Sequence, residues 1–284
     1  MGNIYTNMSS ADAPVNPKKL AKDKLKQKKL EKGYKLPKEI IVIKNKDKRD
    51  HESWTASRKK DLANFPCPSR FIVVARPGSG KTLTIQNILL RARPLYDVLV
   101  LVHPDGQISR EWEELEPTHI LEEPPGTDFY EQLIDEKGRF PKTCVVIDDL
   151  EIFKARKDVL SNIATLLRYY STHRFITTFL SYQSFFDIPP IFRKLANVFI
   201  IYRPLITNEF TTIENRLGME KDQLRTIFDE LCPGIHDFLT IDHTPNTPAP
   251  LRLGLFKKII IENPGGSSPS GSDVEPEDEL ECDF

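Results

Sequence analysis

The chain has few cysteines and no pattern among them. Cys67, Cys144, Cys232 and Cys282 form no C-x-x-C pair, which excludes a disulfide framework and a thiolate zinc site and suits a reducing compartment. The six histidines show no metal-ligand spacing either. No apolar run approaches the ~20 residues that span a bilayer, and no secretory signal opens the sequence, so a soluble intracellular protein is expected. Net charge is also nearly absent, at −1 over 284 residues, but this balance hides a segregation. Residues 1–60 hold 17 Lys and Arg against 7 Asp and Glu, roughly +10. Residues 263–284 contain no basic residue and end SDVEPEDELECDF, roughly −7. One end suits nucleic acid or an anionic membrane; the other repels both.

The strongest motif lies in FIVVARPGSGKTLTIQNILL, residues 71–90. An apolar strand, a loop with two glycines and a helix follow one another, the context a phosphate-binding loop requires. Ala75 stands where such a loop usually opens with glycine. That position only ends the strand and tolerates a methyl group, whereas glycine is needed where the chain turns left-handed beside the phosphates, at Gly78 and Gly80. The stretch Ala75, Arg76, Pro77, Gly78, Ser79, Gly80, Lys81 and Thr82 is thus the candidate nucleotide-binding loop. Lys81 is placed for the β- and γ-phosphates and Thr82 for Mg²⁺, and the helix dipole points at the same anion.

From residue 66 onward the chain alternates strand and helix, with strands expected at 71–74, 98–102, 119–121, 144–147, 175–180 and 198–202. Helices are expected at 82–93, 129–135, 159–170, 190–195, 208–216 and 221–231, followed by two strands around a proline-rich loop. Continuous apolar runs such as VVIDD and FIIY suit strands covered on both faces. An α/β fold with a mostly parallel sheet and helices on both faces is therefore expected for residues 61–262. A basic arm over 1–60 and, after the linker-like NPGGSSPSGS, an acidic tail over 263–284 flank it as disordered segments. MGNIYT matches M-G-x-x-x-[ST], making Gly2 an acylation candidate that the polybasic arm would support at an anionic membrane.

The segment TCVVIDDLE is a buried strand ending in acids. Asp148 is placed to bind Mg²⁺ through water and Asp149 to polarise an attacking water. FITTFLSYQS ends in Gln183, a candidate γ-phosphate sensor on a strand between the other two. No guanine-reading [NT]-K-x-D follows the P-loop, since NKDK at Asn45 precedes it in the wrong order; DEKG at 135–138 imitates the GTPase D-x-x-G but follows a helix-like stretch. No arginine-rich kinase lid is seen.

The order ARPGSGKT, VVIDD, a strand ending in Gln183, then IPPIFRKLANVFIIYRP resembles the HerA/FtsK superfamily of DNA-pumping ATPases, and within it the poxvirus-type genome-packaging ATPases of large DNA viruses, virophages and Polinton-like elements. The resemblance covers residues 71–204. It implies a RecA/FtsK-like P-loop NTPase using ATP and Mg²⁺ to translocate double-stranded DNA, with Asp149 as base and Gln183 as sensor. Cellular members usually carry glutamate where Asp149 stands. The resemblance also implies a homo-oligomeric ring, a pentamer or hexamer, capsid or portal proteins as partners, and location in the host cytoplasm, the nucleus or the virion. In such rings an arginine of one subunit completes the neighbour's site. Arg193 is favoured, Arg174 is the second candidate and Arg203 is the weakest. The rival expectation is an assembly or scaffold protein that uses ATP as a structural switch without rapid turnover.

Overall fold

The structure, a computed structural model, describes residues 58–92, 96–104, 110–134, 140–150 and 156–261. The basic arm before residue 58, Gly2, the 135–138 segment and the acidic tail lie outside the described residues. Nine strands form one sheet in the order β3-β2-β4-β5-β1-β6-β7-β8-β9. They are β1 (Arg70–Val74), β2 (Val98–Val102), β3 (His119–Leu121), β4 (Thr143–Ile147), β5 (Thr177–Tyr182), β6 (Val198–Tyr202), β7 (Phe238–Asp242), β8 (Leu251–Leu253) and β9 (Lys257–Lys258). The first six are parallel, and β7 to β9 extend the sheet antiparallel.

Side-chain alternation along β1 divides the core in two. Phe71 and Val73 face a cluster with Ile85, Ile88 and Leu89 of helix α1 (Lys81–Ala92) and with Trp112 of a 3-10 turn (Arg110–Leu115). Ile72 and Val74 face the opposite cluster. That second face is covered by α2 (Thr127–Glu131), α3 (Lys157–Thr165), α4 (Pro190–Leu195), α5 (Thr207–Leu217) and α6 (Gln223–Leu231). Every residue of β4, β5 and β6 is buried, which is why their sequences read as unbroken apolar or small runs. Phe71 of β1 pairs directly with Phe179 of β5, their rings stacked 4.0 Å apart. No helix among the described residues is long and apolar enough to cross a membrane.

Three element expectations shift. β5 begins at Thr177 and not at residue 175, because Phe175 takes a left-handed φ of 60° as the chain leaves the preceding helix. The helix expected over 159–170 is α3 continued by a π-helical turn, Leu166–Tyr170, and a last turn, Ser171–His173. The wider turn keeps Leu166, Leu167 and Tyr170 all buried on one face. α2 starts earlier and stops at Glu131.

One residue of the expected basic arm belongs to the fold. Arg58 is fully buried and donates to Asp242 of β7 and, at 2.9 Å, to Thr244 Oγ1. Asp242 also accepts from Arg252 of β8 at 3.2 Å, and Arg252 reaches the Leu62 carbonyl at 2.6 Å. The Phe65 ring lies near both guanidinium groups, at 5.2 and 4.9 Å from its centroid. Burial holds the Arg252 guanidinium below its ordinary pKa; Asp242 opposes it, and Arg58 adds a smaller push downward. Two buried cations thus share one carboxylate. Asp242→Ala leaves both without it and is expected to cost about 3–5 kcal/mol in denaturant unfolding; a loss below about 1 kcal/mol would show that the cluster does not hold this edge together.

Candidate nucleotide site

The candidate loop hangs between the end of β1 and the start of α1. Ala75 is buried, and its N–H donates to the Tyr182 carbonyl of β5 at 3.0 Å, so this position continues the sheet and does not need glycine. Gly78 and Gly80 have φ of 75° and 95°, the left-handed backbone that glycine adopts without strain. A Cβ at Gly78 would meet nothing within 4 Å, so backbone conformation and not space selects glycine there. Thr84 N–H closes the first helical bond onto the Gly80 carbonyl at 3.0 Å, leaving the earlier N–H groups at the helix start for an anion.

Parallel register places the acids opposite this loop. β5 lies between β1 and β4, so Gln183, one residue past β5, stands between the loop after β1 and the Asp148–Asp149 pair after β4. Asp148 is buried; its N–H donates to the Val102 carbonyl of β2 at 3.0 Å. Thr82 Oγ1 donates to Asp148 Oδ2 at 3.1 Å. Lys81 Nζ lies 2.7 Å from Asp149 Oδ1 and 3.5 Å from Asp148 Oδ1. Asp149 has a left-handed φ of 50°, and its side chain is 40% exposed toward the cleft.

Two residues that the sequence does not single out hold these groups in place. Ser181 of β5 is fully buried; its hydroxyl donates to Asp148 Oδ1 and accepts from Asp149 N–H at 2.9 Å. Glu209 of α5, also buried, accepts from Ser184 Oγ at 2.9 Å and from Phe185 N–H at 2.6 Å, fixing the turn that follows Gln183. A serine in a strand and a glutamate on a helix carry no motif; only the fold brings them to the site.

The resulting cleft is about 540 Å³, with Gly78, Gly80, Lys81, Thr82, Asp149 and Gln183 on its walls, together with Arg76 and Pro77. Ser79 turns to the other side of the loop, where its carbonyl lies 3.0 Å from His236 Nδ1. The arginines lie elsewhere. Arg174 precedes β5 and so sits at the end of the strands opposite the loop, over the Phe140 ring and 3.8 Å from Glu131. Arg193 lies over Phe185, with its pKa lowered by burial and then by Arg216. Arg203 pairs with Asp229. Neither Arg174 nor Arg193 lines the cleft.

A metal finds hard oxygen donors here. The Thr82 hydroxyl and the Asp148 carboxylate meet beside the cleft, a pair suited to Mg²⁺, which keeps several of its waters and takes phosphate oxygens. Among the described residues no group of three or more His, Cys, Asp or Glu could hold a metal, so protein ligands alone do not make a complete site.

No protein family and no curated protein matches the chain. Solved structures do. The genome packaging NTPase B204 from Sulfolobus turreted icosahedral virus 2, in complex with AMP, is 18% identical, with 69% of this chain and 100% of that one covered at a TM-score of 0.50. B204 of Sulfolobus turreted icosahedral virus, a DNA-packaging ATPase, is 20% identical over 69% and 100% of the two chains at 0.49. The pCW3 conjugation coupling protein TcpA is 15% identical over 66% and 60% at 0.46. These neighbours are P-loop ATPases of the FtsK/HerA type, and the chain shares the α/β fold of the first.

Proposed function

We propose that the protein is an ATP-driven motor that translocates double-stranded DNA and packages a viral genome into a capsid, working as a homo-oligomeric ring. The observation that carries the reading is the insertion of β5 between β1 and β4. It sets Gln183 between a phosphate-binding loop and an acidic pair, the arrangement that couples hydrolysis to a polar contact on the terminal phosphate. The neighbour B204 is by description a genome packaging NTPase, which supports DNA as the substrate that is moved.

The residues divide the work as follows. A triphosphate in the cleft draws Lys81 Nζ from Asp149, since its terminal phosphates offer more charge and more oxygens than one carboxylate. Asp149 then accepts a proton from water, with Gln183 orienting that water. Thr82 and Asp148 would hold Mg²⁺, which when bound neutralises charge on the phosphates. Ser181 keeps the Asp148 carboxylate turned toward Thr82 and holds the Asp149 backbone in its left-handed turn. Arg193, or failing it Arg174, would act on the neighbouring subunit's phosphates across the ring.

The remaining partners follow from charge. Residues 1–57 carry 14 Lys and Arg against 7 Asp and Glu, and their proposed role is sequence-independent phosphate contact. Arg58 is excluded from that role by its burial. Capsid or portal proteins, location in the virion, host cytoplasm or nucleus, and a membrane contact through Gly2 complete the proposal.

Steady-state ATP hydrolysis with and without duplex DNA tests the motor. Stimulation is expected, with log affinity for DNA falling against log salt at a slope of about −5 to −7, most of it lost on deleting residues 1–57. Stoichiometric ATP binding without turnover would instead make the chain a nucleotide-dependent scaffold. Asp149→Asn is expected to bind ATP normally and to lose about 10²–10⁴-fold in kcat; a parallel loss of binding would assign Asp149 to the metal or the fold. Ser181→Ala is expected to lower kcat by roughly tenfold at unchanged KM, with activity restored in Ser181→Thr, which keeps the hydroxyl. A lower melting temperature with unchanged kcat would leave Ser181 a packing residue only.

A further inference from the structure

A second, smaller cleft opens on the other side of the loop. It is about 190 Å³ and shares Arg76, Pro77 and Gly78 with the larger one. Its far wall is the segment between α6 and β7, where Pro233, Gly234 and Ile235 face the loop, and its remaining walls include Tyr202 and Arg203 at the end of β6. Polarity of the site decides what belongs there. Lys81, Asp149 and Gln183 mark the end where the terminal phosphate lies, on the β5 and β4 side of β1. The nucleoside end of the same ligand must leave across Gly78 toward β6, the strand on the opposite side of β1. The small cleft is the space it meets, with room for one heterocycle and not for a drug-sized ligand.

The wall is built to stay in place. His236 Nδ1 lies 3.0 Å from the Ser79 carbonyl and ties the segment to the loop. Gly234 N–H donates to Asp237 Oδ2 at 2.7 Å, and Asp237 N–H returns to the Gly234 carbonyl at 3.2 Å. A Cβ at Gly234 would come within 3.0 Å of Asp237 Oδ2, so a larger residue there would press on the side chain that closes the turn. Tyr202 is buried beneath, its hydroxyl donating to the Gly80 carbonyl at 3.2 Å and lying 2.7 Å from Thr84 Oγ1. Ile235 is left 72% exposed on this tethered turn, an apolar side chain next to the phosphate loop with nothing covering most of it.

We infer that the cleft between Arg76–Gly78 and Pro233–Ile235 is the nucleobase subsite, that Ile235 packs on the face of the base, and that the subsite does not distinguish adenine from guanine. The inference rests on the P-loop reading above. Among the described residues lining the cleft there is no Asn, Gln, Asp or Glu to read a base edge, and both polar groups of the Gly234 backbone are engaged by Asp237. Besides Ser79 and the Tyr202 hydroxyl, which Gly80 and Thr84 engage, what remains is apolar surface and the guanidinium groups of Arg76 and of Arg203, the latter paired with Asp229. These stack on any base, because every base offers a π-face. Strong base selection needs buried polar groups that the wrong base leaves unpaired, and this wall supplies none from a side-chain amide or carboxylate.

The test compares binding of non-hydrolysable ATP and GTP analogues and of inorganic tripolyphosphate, each with Mg²⁺, to the full chain, to Ile235→Ala and to Lys81→Ala. ATP and GTP analogues are expected to bind within about tenfold of each other. Ile235→Ala should weaken both by roughly fivefold and leave tripolyphosphate unchanged, while Lys81→Ala weakens all three. A base preference above about tenfold overturns the lack of discrimination. Unchanged nucleotide binding in Ile235→Ala, or an equal loss for tripolyphosphate, overturns the placement of the base. Failure of the P-loop reading has a separate signature: tripolyphosphate would bind the full chain and Lys81→Ala equally.

Discussion

The carboxylate of Asp148 is the point on which the site turns. It is buried at the end of a fully buried strand and accepts from Thr82 on α1, Ser181 on β5 and the N–H of its own neighbour. Buried carboxylates persist only where such donors surround them. One group thereby ties the three consecutive sheet strands β4, β5 and β1 at their common end, and fixes the Lys81 and Thr82 side chains relative to Gln183. The geometry of the candidate site is a by-product of satisfying that buried charge.

A second buried charge does comparable work at the far edge. Asp242 gathers Arg58, Arg252 and Thr244 around Phe65, so the start of the described chain is clamped to the antiparallel extension of the sheet. The two carboxylates lie at different strand ends and use different partners. Asp148 is approached by hydroxyls and one ammonium that a phosphate can draw away. Asp242 is held by guanidinium groups sealed from water, which makes it a fixture and not a switch.

Much of this was legible in the amino-acid order, and the reasons for the exceptions are physical. The strands at 98–102, 119–121 and 198–202 and the helix at 190–195 match observed elements because their apolar runs are bounded by charges and prolines. Gly78 and Gly80 were legible because only glycine takes their backbone freely. Phe175 was not, since its left-handed turn is imposed by the helix before it and no residue preference announces it. The π-helical turn preserves the apolar spacing that suggests a plain helix, so periodicity alone could not separate them. Arg58 reads as one more charge in a basic arm because its partner lies 184 residues away. Ser181 and Glu209 are ordinary residues whose meaning comes from strand insertion and from a helix packed behind it.

The left-handed backbone at Asp149 bears on why aspartate stands there at all. Aspartate and asparagine enter that conformation several-fold more readily than longer side chains do. Asp149 Oδ1 already comes within 2.7 Å of Lys81 Nζ, so the shorter acid loses no access to the loop. Exchange for glutamate would add a methylene of reach at a residue whose main chain disfavours it, and the second N–H bond to Ser181 would have to hold that turn against the added cost. Acid length and backbone conformation at this position are therefore coupled: a longer side chain would carry more of the cost of the left-handed turn, which aspartate meets more readily.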